Sequence, residues 1–399
     1  MVTTIEGLKD GVEYTLMKID RLLSEQSERP LIVHIGGPSA SGKSTYGRWV
    51  RESLQRKKVG TTYIEGDGFY KPNSIELATT RYGTPDSPNF DHRETYDFQA
   101  AREFLENLSR KKKGRLVVPN LPWLREQKGF SHGTTLRDVV IFEGLFSLDQ
   151  ELLEHAGLKI GVDSDSTLQF LNRLVRDPER GMSYEAIIKM FPTVHEMYKT
   201  FIKPTFSVAD FVVRNPYHPI QQGHAGKPTY QKKVVGRFPD LEARLSAYPT
   251  RTLIQRDIYY EVPGGSAGEL VVAREEETEK GVGREIKFKW GVGTANRQEF
   301  SAKLPPINVY AVLDNANFRR VERLEGGITK ERKEFEVNGG KVRIDKIKVI
   351  GLQQIDAVEF SGKSEISVDR LAALCGINPP SLTDITYKSL VLGMLGKKE

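Results

Sequence analysis

The first half of the chain alternates short apolar runs with amphipathic stretches. Leu31, Ile32, Val33 and Ile35 form a run that predicts a buried strand, and Thr61 to Glu65, Leu116 to Val118, Asp138 to Gly144 and Lys159 to Val162 predict further strands. Over residues 3–28, Ile5, Leu8, Val12, Leu16, Ile19, Leu22 and Leu23 recur at spacings of three and four, which predicts one helical stripe. That stripe is expected to pack beside the first strand, with contact to a second copy of the chain as the alternative. Helices are also expected over 44–56, Phe98 to Arg110 and 166–180. Strands alternating with helices point to an α/β domain with a parallel sheet. Residues 71–93 are rich in Pro, Asn, Asp and Gly and predict a long loop of the kind that covers a substrate.

From Leu253 the pattern changes. Ile254 to Val262, Glu269 to Glu275, Arg284 to Trp290, Asn308 to Leu313, Lys333 to Val337, Val342 to Ile350 and Ile355 to Phe360 are short, β-rich and punctuated by Gly, Pro or Asn. They predict an antiparallel, barrel-like or strongly curved β domain. Residues 215–240 carry scattered Gly and Pro with little periodicity and read as a linker, with Val234 and Val235 as a candidate strand. The expected organisation is therefore 1–214, a linker over 215–240, and 241–399.

Composition narrows the class without choosing a function. A chain of 399 residues is too long for one ordinary core, and 38% hydrophobic with 28% charged residues is the composition of a soluble protein. No apolar run is long enough to cross a membrane, and the acidic start at Met1 to Asp10 lacks the apolar segment of a secretion signal. The single cysteine, Cys375, excludes an intrachain disulfide and fits a reducing cytoplasm. A net charge of +6 favours anionic ligands. No nucleic-acid motif accompanies it, so phosphate handling accounts for the excess more simply.

The chemistry begins directly after the first apolar run. Gly37, Pro38, Ser39, Ala40, Ser41, Gly42, Lys43, Ser44 and Thr45 match the phosphate-binding loop pattern between a strand and a helix. Glycines let the backbone turn its N–H groups onto a polyphosphate, and the following helix adds its positive end. Lys43 has the reach for β- and γ-phosphates, and the Ser44 hydroxyl suits Mg²⁺. ATP and Mg²⁺ are thus the expected nucleotide and metal. Asp67 stands at the end of the strand at 61–65, where an α/β sheet opens to ligand. It is a candidate base for an attacking hydroxyl, or else a turn residue between glycines. Glu143 ends an apolar strand and is the candidate second metal ligand. Arg173 and Arg176 share a helix face and Arg180 follows. They read either as a clamp on transferring charge or as a solvated basic face.

Taken together, Gly36 to Thr45, Asp67-Gly68-Phe69-Tyr70, Asn89-Phe90-Asp91-His92, Val140 to Gly144, Val162 to Asp165, Arg173 with Val175-Arg176-Asp177, Arg180-Gly181, Phe201 to Pro204 and Ala209-Asp210 resemble the uridine kinase and phosphoribulokinase family of P-loop kinases. The resemblance spans about Pro30 to Arg214. It implies Asp67 as the catalytic carboxylate, Tyr70, Phe90 and Asp91 around a nucleoside acceptor, and Arg173 and Arg176 as lid arginines at substrate and phosphates, with Arg180 a further candidate for substrate binding. Two departures accompany it. Pro119 to Arg125, with Trp123, stands where uridine–cytidine kinases carry the Tyr and His that read the base. The stretch between Ile188 and Phe201 is longer than usual and contains Met190-Phe191-Pro192-Thr193.

The second half resembles the CYTH, or triphosphate tunnel, superfamily over about Arg251 to Leu395. The resemblance rests on Asp257 to Gly264, Glu331 to Val337, Val342 to Leu352, Ala357 to Phe360 and, as its closing helices, Leu371 to Ile377 and Ile385 to Leu392. Lys287 with Lys289, Arg332 with Lys333, Arg343, and Lys346 with Lys348 are basic positions within its strands. They line either a lumen suited to a triphosphate or polyphosphate, or an exterior solvated face. The superfamily's N-terminal Glu-x-Glu-x-Lys is missing, and Glu275 to Lys280 reads as a loop after a different strand. The expected activity is transfer of the ATP γ-phosphoryl to a hydroxyl of a small, ribose-bearing acceptor. A tri- or polyphosphate hydrolase, and a kinase regulated by its second domain, are the alternatives. A homo-oligomer is left open.

Overall fold

The computed structural model describes residues 2–25, 30–85, 88–111, 113–121, 128–215, 230–261, 270–290, 298–304, 308–316, 318–383 and 386–396. The segment at 122–127, including Trp123 and Arg125, and Val262 to Gly264 lie outside them. The chain divides into two units, Met1–His218 and Pro219–Glu399.

The first unit is built on β1 (Thr3–Glu6), α1 (Leu8–Glu25), β2 (Leu31–Gly36), α2 (Lys43–Arg56), β3 (Thr61–Glu65), α3 (Phe98–Ser109), β4 (Gly114–Pro119), β5 (Ser131–Leu136), β6 (Val139–Gly144), β7 (Leu158–Asp163), α4 (Ser166–Arg176), α5 (Tyr184–Met197) and β8 (Phe211–Arg214). Six strands form a parallel sheet in the order β1-β8-β7-β2-β6-β3, and β4 with β5 make a separate antiparallel hairpin. Every residue of β2 and β6 is buried, because helices cover both faces. Leu31, Val33, Ile35, Val139 and Ile141 pack with Leu8, Val12, Ile19, Tyr46, Val50 and Leu54 from α1 and α2. Ile32, Val140 and Phe142 pack on the other face with Phe69, Tyr96 and the α3 residues Ala101, Leu105 and Leu108.

Two expectations change here. Residues 3–6 are an edge strand, not the start of a helix. Ile5 falls at helical spacing, but Gly7 turns the chain at φ 91° and β1 pairs with β8. The expected loop at 71–93 contains helical turns over Ser74–Glu76 and Leu77–Arg81.

The second unit holds β9 (Tyr230–Val235), β10 (Thr250–Glu261), β11 (Leu270–Thr278), β12 (Gly281–Trp290), β13 (Gln298–Leu304), α6 (Val309–Asn315), β14 (Ile328–Val337), β15 (Gly340–Lys348), β16 (Ile355–Gly362), α7 (Glu365–Leu374) and α8 (Tyr387–Gly396). Eight strands form one antiparallel sheet in the order β13-β12-β11-β10-β14-β15-β16-β9. Among the described residues β13 and β9 are its two edges, so the hydrogen-bonded ladder is an open sheet and not a closed barrel. β9 lies inside the stretch read as a linker. Asn308 to Leu313 is helical, since the Asn308 side chain accepts from the Ala311 amide and caps α6. Glu275 to Thr278 continues β11 into a hairpin with Gly281 and is not a loop.

One face of this sheet carries Phe335, Val337, Val342, Val358 and Phe360, packed under Val368, Leu371 and Ala372 of α7. The other face is half apolar and half charged. Ile328, Ile347, Ile355 and Ala357 pack with Tyr387 and Val391 of α8. Beside them lie buried Lys233, Asp257, Arg274, Lys330, Arg332, Glu334, Asp345 and Glu359. Asp257 accepts from Arg274 at 2.5 and 2.7 Å and from Lys330 at 2.7 Å. Asp345 accepts from Arg332 at 2.6 and 2.7 Å and from the Tyr387 hydroxyl at 2.6 Å. Arg343 donates to Glu334 at 2.6 Å and to Glu359 at 2.8 Å. The basic positions of the sequence therefore divide. Arg332 and Arg343 face this network, whereas Lys346 and Lys348 are exposed and Lys333 is partly so. The Lys289 side chain lies outside those described.

Burial would raise the Glu334 carboxyl, but Arg343 and Lys341 beside it outweigh this and hold it at about 2, below its ordinary 4.5. The group thus stabilises the fold above about pH 5, and that contribution is lost as pH falls toward its folded value. Amide protection in β14 and β15, measured by hydrogen exchange on the full chain, is expected to drop on acidification from about pH 6 to about pH 3. Glu334→Gln is expected to lower protection at the higher pH already and to flatten the pH response.

Candidate active site

Register places the site. Parallel pairing sets Ile35 and Glu65 opposite Glu143, and Gly36 opposite Gly144, so β2, β3 and β6 end level with one another. The chain leaves β2 through the loop at 37–42, and α2 begins at Lys43 with Gly42 in a left-handed conformation at φ 97°. Only glycine suits positions 37 and 42. A Cβ on Gly37 would lie 2.0 Å from the Val162 carbonyl oxygen, and one on Gly42 would lie 2.5 Å from Asn215 Nδ2. The Asn215 amide donates to the Ser41 carbonyl at 2.7 Å, and Asn172 of α4 donates to the Ala40 carbonyl at 2.9 Å. With loop carbonyls held outward in this way, the first-turn amides of α2 stay free to bind an anion.

Glu143 is 5% exposed and central to the site. Its Oε1 accepts from Ser44 Oγ at 3.2 Å and lies 3.8 Å from Lys43 Nζ, while its Oε2 accepts from the Tyr63 hydroxyl at 2.9 Å. Burial raises this carboxyl, and Lys43 opposes the rise. Asp67 follows β3 in a tight turn, and its Oδ1 accepts from the Leu145 amide at 3.3 Å. A half-buried carboxylate held by one amide keeps lone pairs available for a proton.

Asp91 is buried, which raises its carboxyl, while Arg173, Lys43 and Arg176 act against the rise. Arg173, 4% exposed, lies 3.5 Å from both Asp91 and Asp177. Arg176 donates to Asp177 at 2.6 Å. Arg173 is thus buried against Asp91 and Asp177, Arg176 is held by Asp177 but partly exposed, and Arg180 is exposed. Tyr70 is buried edge-on between Phe90 and Tyr96, at 6.0 and 5.7 Å. The hairpin approaches the same place, because a Cβ on Gly68 would lie 2.4 Å from the Pro119 carbonyl oxygen. The long stretch between Ile188 and Phe201 is the end of α5 and a turn after it. It braces α4 through Phe191 stacked on Phe170 at 4.5 Å, and Tyr198 donates to Asp163 at 3.0 Å.

Sequence reasoning missed Tyr63, Asn172 and Asn215 as site residues. Their partners lie far away in sequence and no local pattern marks them. Chemically, the arrangement offers an anion cradle, a pair of hard oxygens beside a lysine, a carboxylate open to a proton and two anchored guanidinium groups.

The phosphoribulokinase / uridine kinase family model matches residues 32–218. The chain is 33% identical over 192 residues to the uridine kinase of Lactobacillus johnsonii, across 47% of this chain and 88% of that protein. It is 34% identical over 193 residues to uridine-cytidine kinase-like 1 of Mus musculus, across 47% of this chain and 34% of that one. A solved structure of a possible uridine kinase from Bacillus stearothermophilus is covered over 98% of its length, with 15% identity and a TM-score of 0.35. Through its first unit, a P-loop kinase domain, the chain belongs to the phosphoribulokinase / uridine kinase family.

Proposed function

We propose that the first unit transfers the γ-phosphoryl of ATP to a hydroxyl of a small, nucleoside-like acceptor, with uridine and cytidine as the first candidates. The observation that carries this reading is the meeting of Lys43, Ser44 and Glu143 where the phosphate-binding loop enters α2, with Glu143 Oε1 3.2 Å from Ser44 Oγ and 3.8 Å from Lys43 Nζ. The loop amides and Lys43 bind the phosphates. Asp67 takes the proton as the acceptor oxygen bonds to the γ-phosphorus and the bond to the β–γ bridging oxygen breaks, releasing ADP. Arg173 and Arg176 offset charge on the transferring group. Asp91 and Tyr70 hold the acceptor, with Phe90 and Arg180 at its margin. Ser44 and Glu143 are hard oxygen donors 3.2 Å apart and fit Mg²⁺, which takes one or two protein ligands and completes its shell with phosphates and water. When bound, Mg²⁺ neutralises charge on the β- and γ-phosphates.

Lys43→Ala and Asp67→Asn are each expected to lower turnover by about a hundredfold or more. Near-normal rates in either would remove that residue's role. A ³¹P NMR time course with Mg²⁺-ATP and uridine or cytidine is expected to show a new phosphomonoester together with ADP. Inorganic phosphate released without any acceptor would favour a phosphohydrolase instead.

A second reading concerns Pro219–Glu399. Buried Lys233, Arg274, Lys330 and Arg332 on one sheet face favour a polyanion-binding unit of the triphosphate-tunnel type. Each of the four is already paired with a carboxylate, so an incoming polyphosphate must displace internal partners. Tripolyphosphate titrated into the full chain carrying Lys43→Ala is expected to give a binding heat that Arg343→Ala abolishes. No heat in the Lys43→Ala chain would remove the reading.

A further inference from the structure

We infer that Tyr63 is a positioning residue that keeps Glu143 turned toward Ser44 and away from Lys43, and so sets how strongly bound nucleotide and divalent cation reinforce one another. The inference rests on the phosphoryl-transfer reading above and concerns a residue outside the family motifs. Tyr63 lies on β3 opposite Ile141, two residues before the level of Glu143, and its side chain spans that distance along the sheet edge. Its hydroxyl donates to Glu143 Oε2 at 2.9 Å. The ring is wedged in place. The Arg51 guanidinium lies over it at 5.4 Å, and α2 passes so close that a Cβ on Gly47 would sit 2.9 Å from the hydroxyl oxygen. The absent side chain at Gly47 is what admits the phenol.

The geometry divides the two carboxylate oxygens. Oε2 is committed to Tyr63, which fixes rotation of the carboxylate about its last bond. Oε1 is left facing Ser44 at 3.2 Å, with Lys43 at 3.8 Å. That longer separation matters, because Lys43 must remain available for phosphate. Without the hydroxyl, a buried carboxylate loses a hydrogen bond and gains freedom to turn onto the nearest cation, which is Lys43. Both groups would then be withdrawn from the nucleotide site. Partners that orient a metal-binding carboxylate act in this way, and their removal typically costs tenfold or more in metal affinity.

The test uses the full chain and the non-hydrolysable β,γ-imido analogue of ATP. Its affinity is measured by calorimetry in Mg²⁺ and again in EDTA, and the ratio reports the reinforcement between metal and nucleotide. Tyr63→Phe keeps the ring against Gly47 and Arg51 and removes only the hydroxyl. It is expected to shrink that ratio by about tenfold, the EDTA affinity falling as Lys43 is drawn off the phosphates but by less than the Mg²⁺ affinity. Gly47→Ala, which pushes the phenol away while keeping Tyr63, is expected to shrink it similarly. An unchanged ratio in both variants overturns the inference, as does an equal fall in both affinities, which would mark Tyr63 as structural only. If the parent chain fails to bind the analogue at all, the phosphoryl-transfer reading falls and takes the inference with it.

Discussion

β6 lies between β2 and β3, and its register with both decides where phosphate chemistry can occur. The level ending of the three strands brings Gly36, Glu65 and Glu143 to one edge. The chain turns so closely there that a Cβ on Gly144 would sit 3.1 Å from the Gly66 Cα. That close approach carries Asp67 to the Leu145 amide and Glu143 to the start of α2. Side chains alternate along a strand, so a shift of one residue in β6 would turn Glu143 into the α3 layer and Phe142 toward the nucleotide. The phosphate loop supplies a cradle, but the grouping of Lys43, Asp67 and Glu143 around it comes from this alignment of strand ends.

Much of this was legible in the sequence, and for physical reasons. A parallel sheet covered on both faces demands continuous apolar runs, and β2 and β6 display them. A phosphate loop needs glycines where no Cβ fits, and Gly37 and Gly42 stand where the Val162 carbonyl and the Asn215 amide approach. Acids at strand ends pointed to Asp67 and Glu143 because the crevice of such a sheet lies there. What escaped was carried by contacts with no local signature. β1 was hidden because Ile5 mimics a helical stripe. β5 was hidden because Ser131, His132, Gly133, Thr134 and Thr135 are polar or small, and pairing with β4 makes them a strand. Tyr63 looks like an ordinary strand aromatic until Glu143, 80 positions away, is seen against it.

The second unit shows a different limit. Alternation assigns basic residues to a face but does not say which face is covered. That follows from where α7 and α8 pack. Tyr387 settles it, with its hydroxyl on Asp345 and its ring 5.0 Å from Lys233 and 5.5 Å from Lys330. The charged network beside it is a poor source of net stability, since desolvating each ion offsets much of its attraction, yet removing one member leaves its partner buried and unpaired.

That penalty has a consequence for assembly of the sheet. In the native alignment Asp257 meets Lys330, Asp345 meets Arg332, and Glu359 meets Arg343 and Lys233, each from a neighbouring strand. If β14 slipped by one residue, Phe335 would take the place of Glu334 in the charged layer, Glu331 would take that of Lys330 against Asp257, and Lys333 would replace the Arg332 that joins Asp345 and Glu359. Misaligned hairpins are thereby made costly while correctly aligned ones are tolerated, so the buried charges proofread strand pairing as the sheet forms.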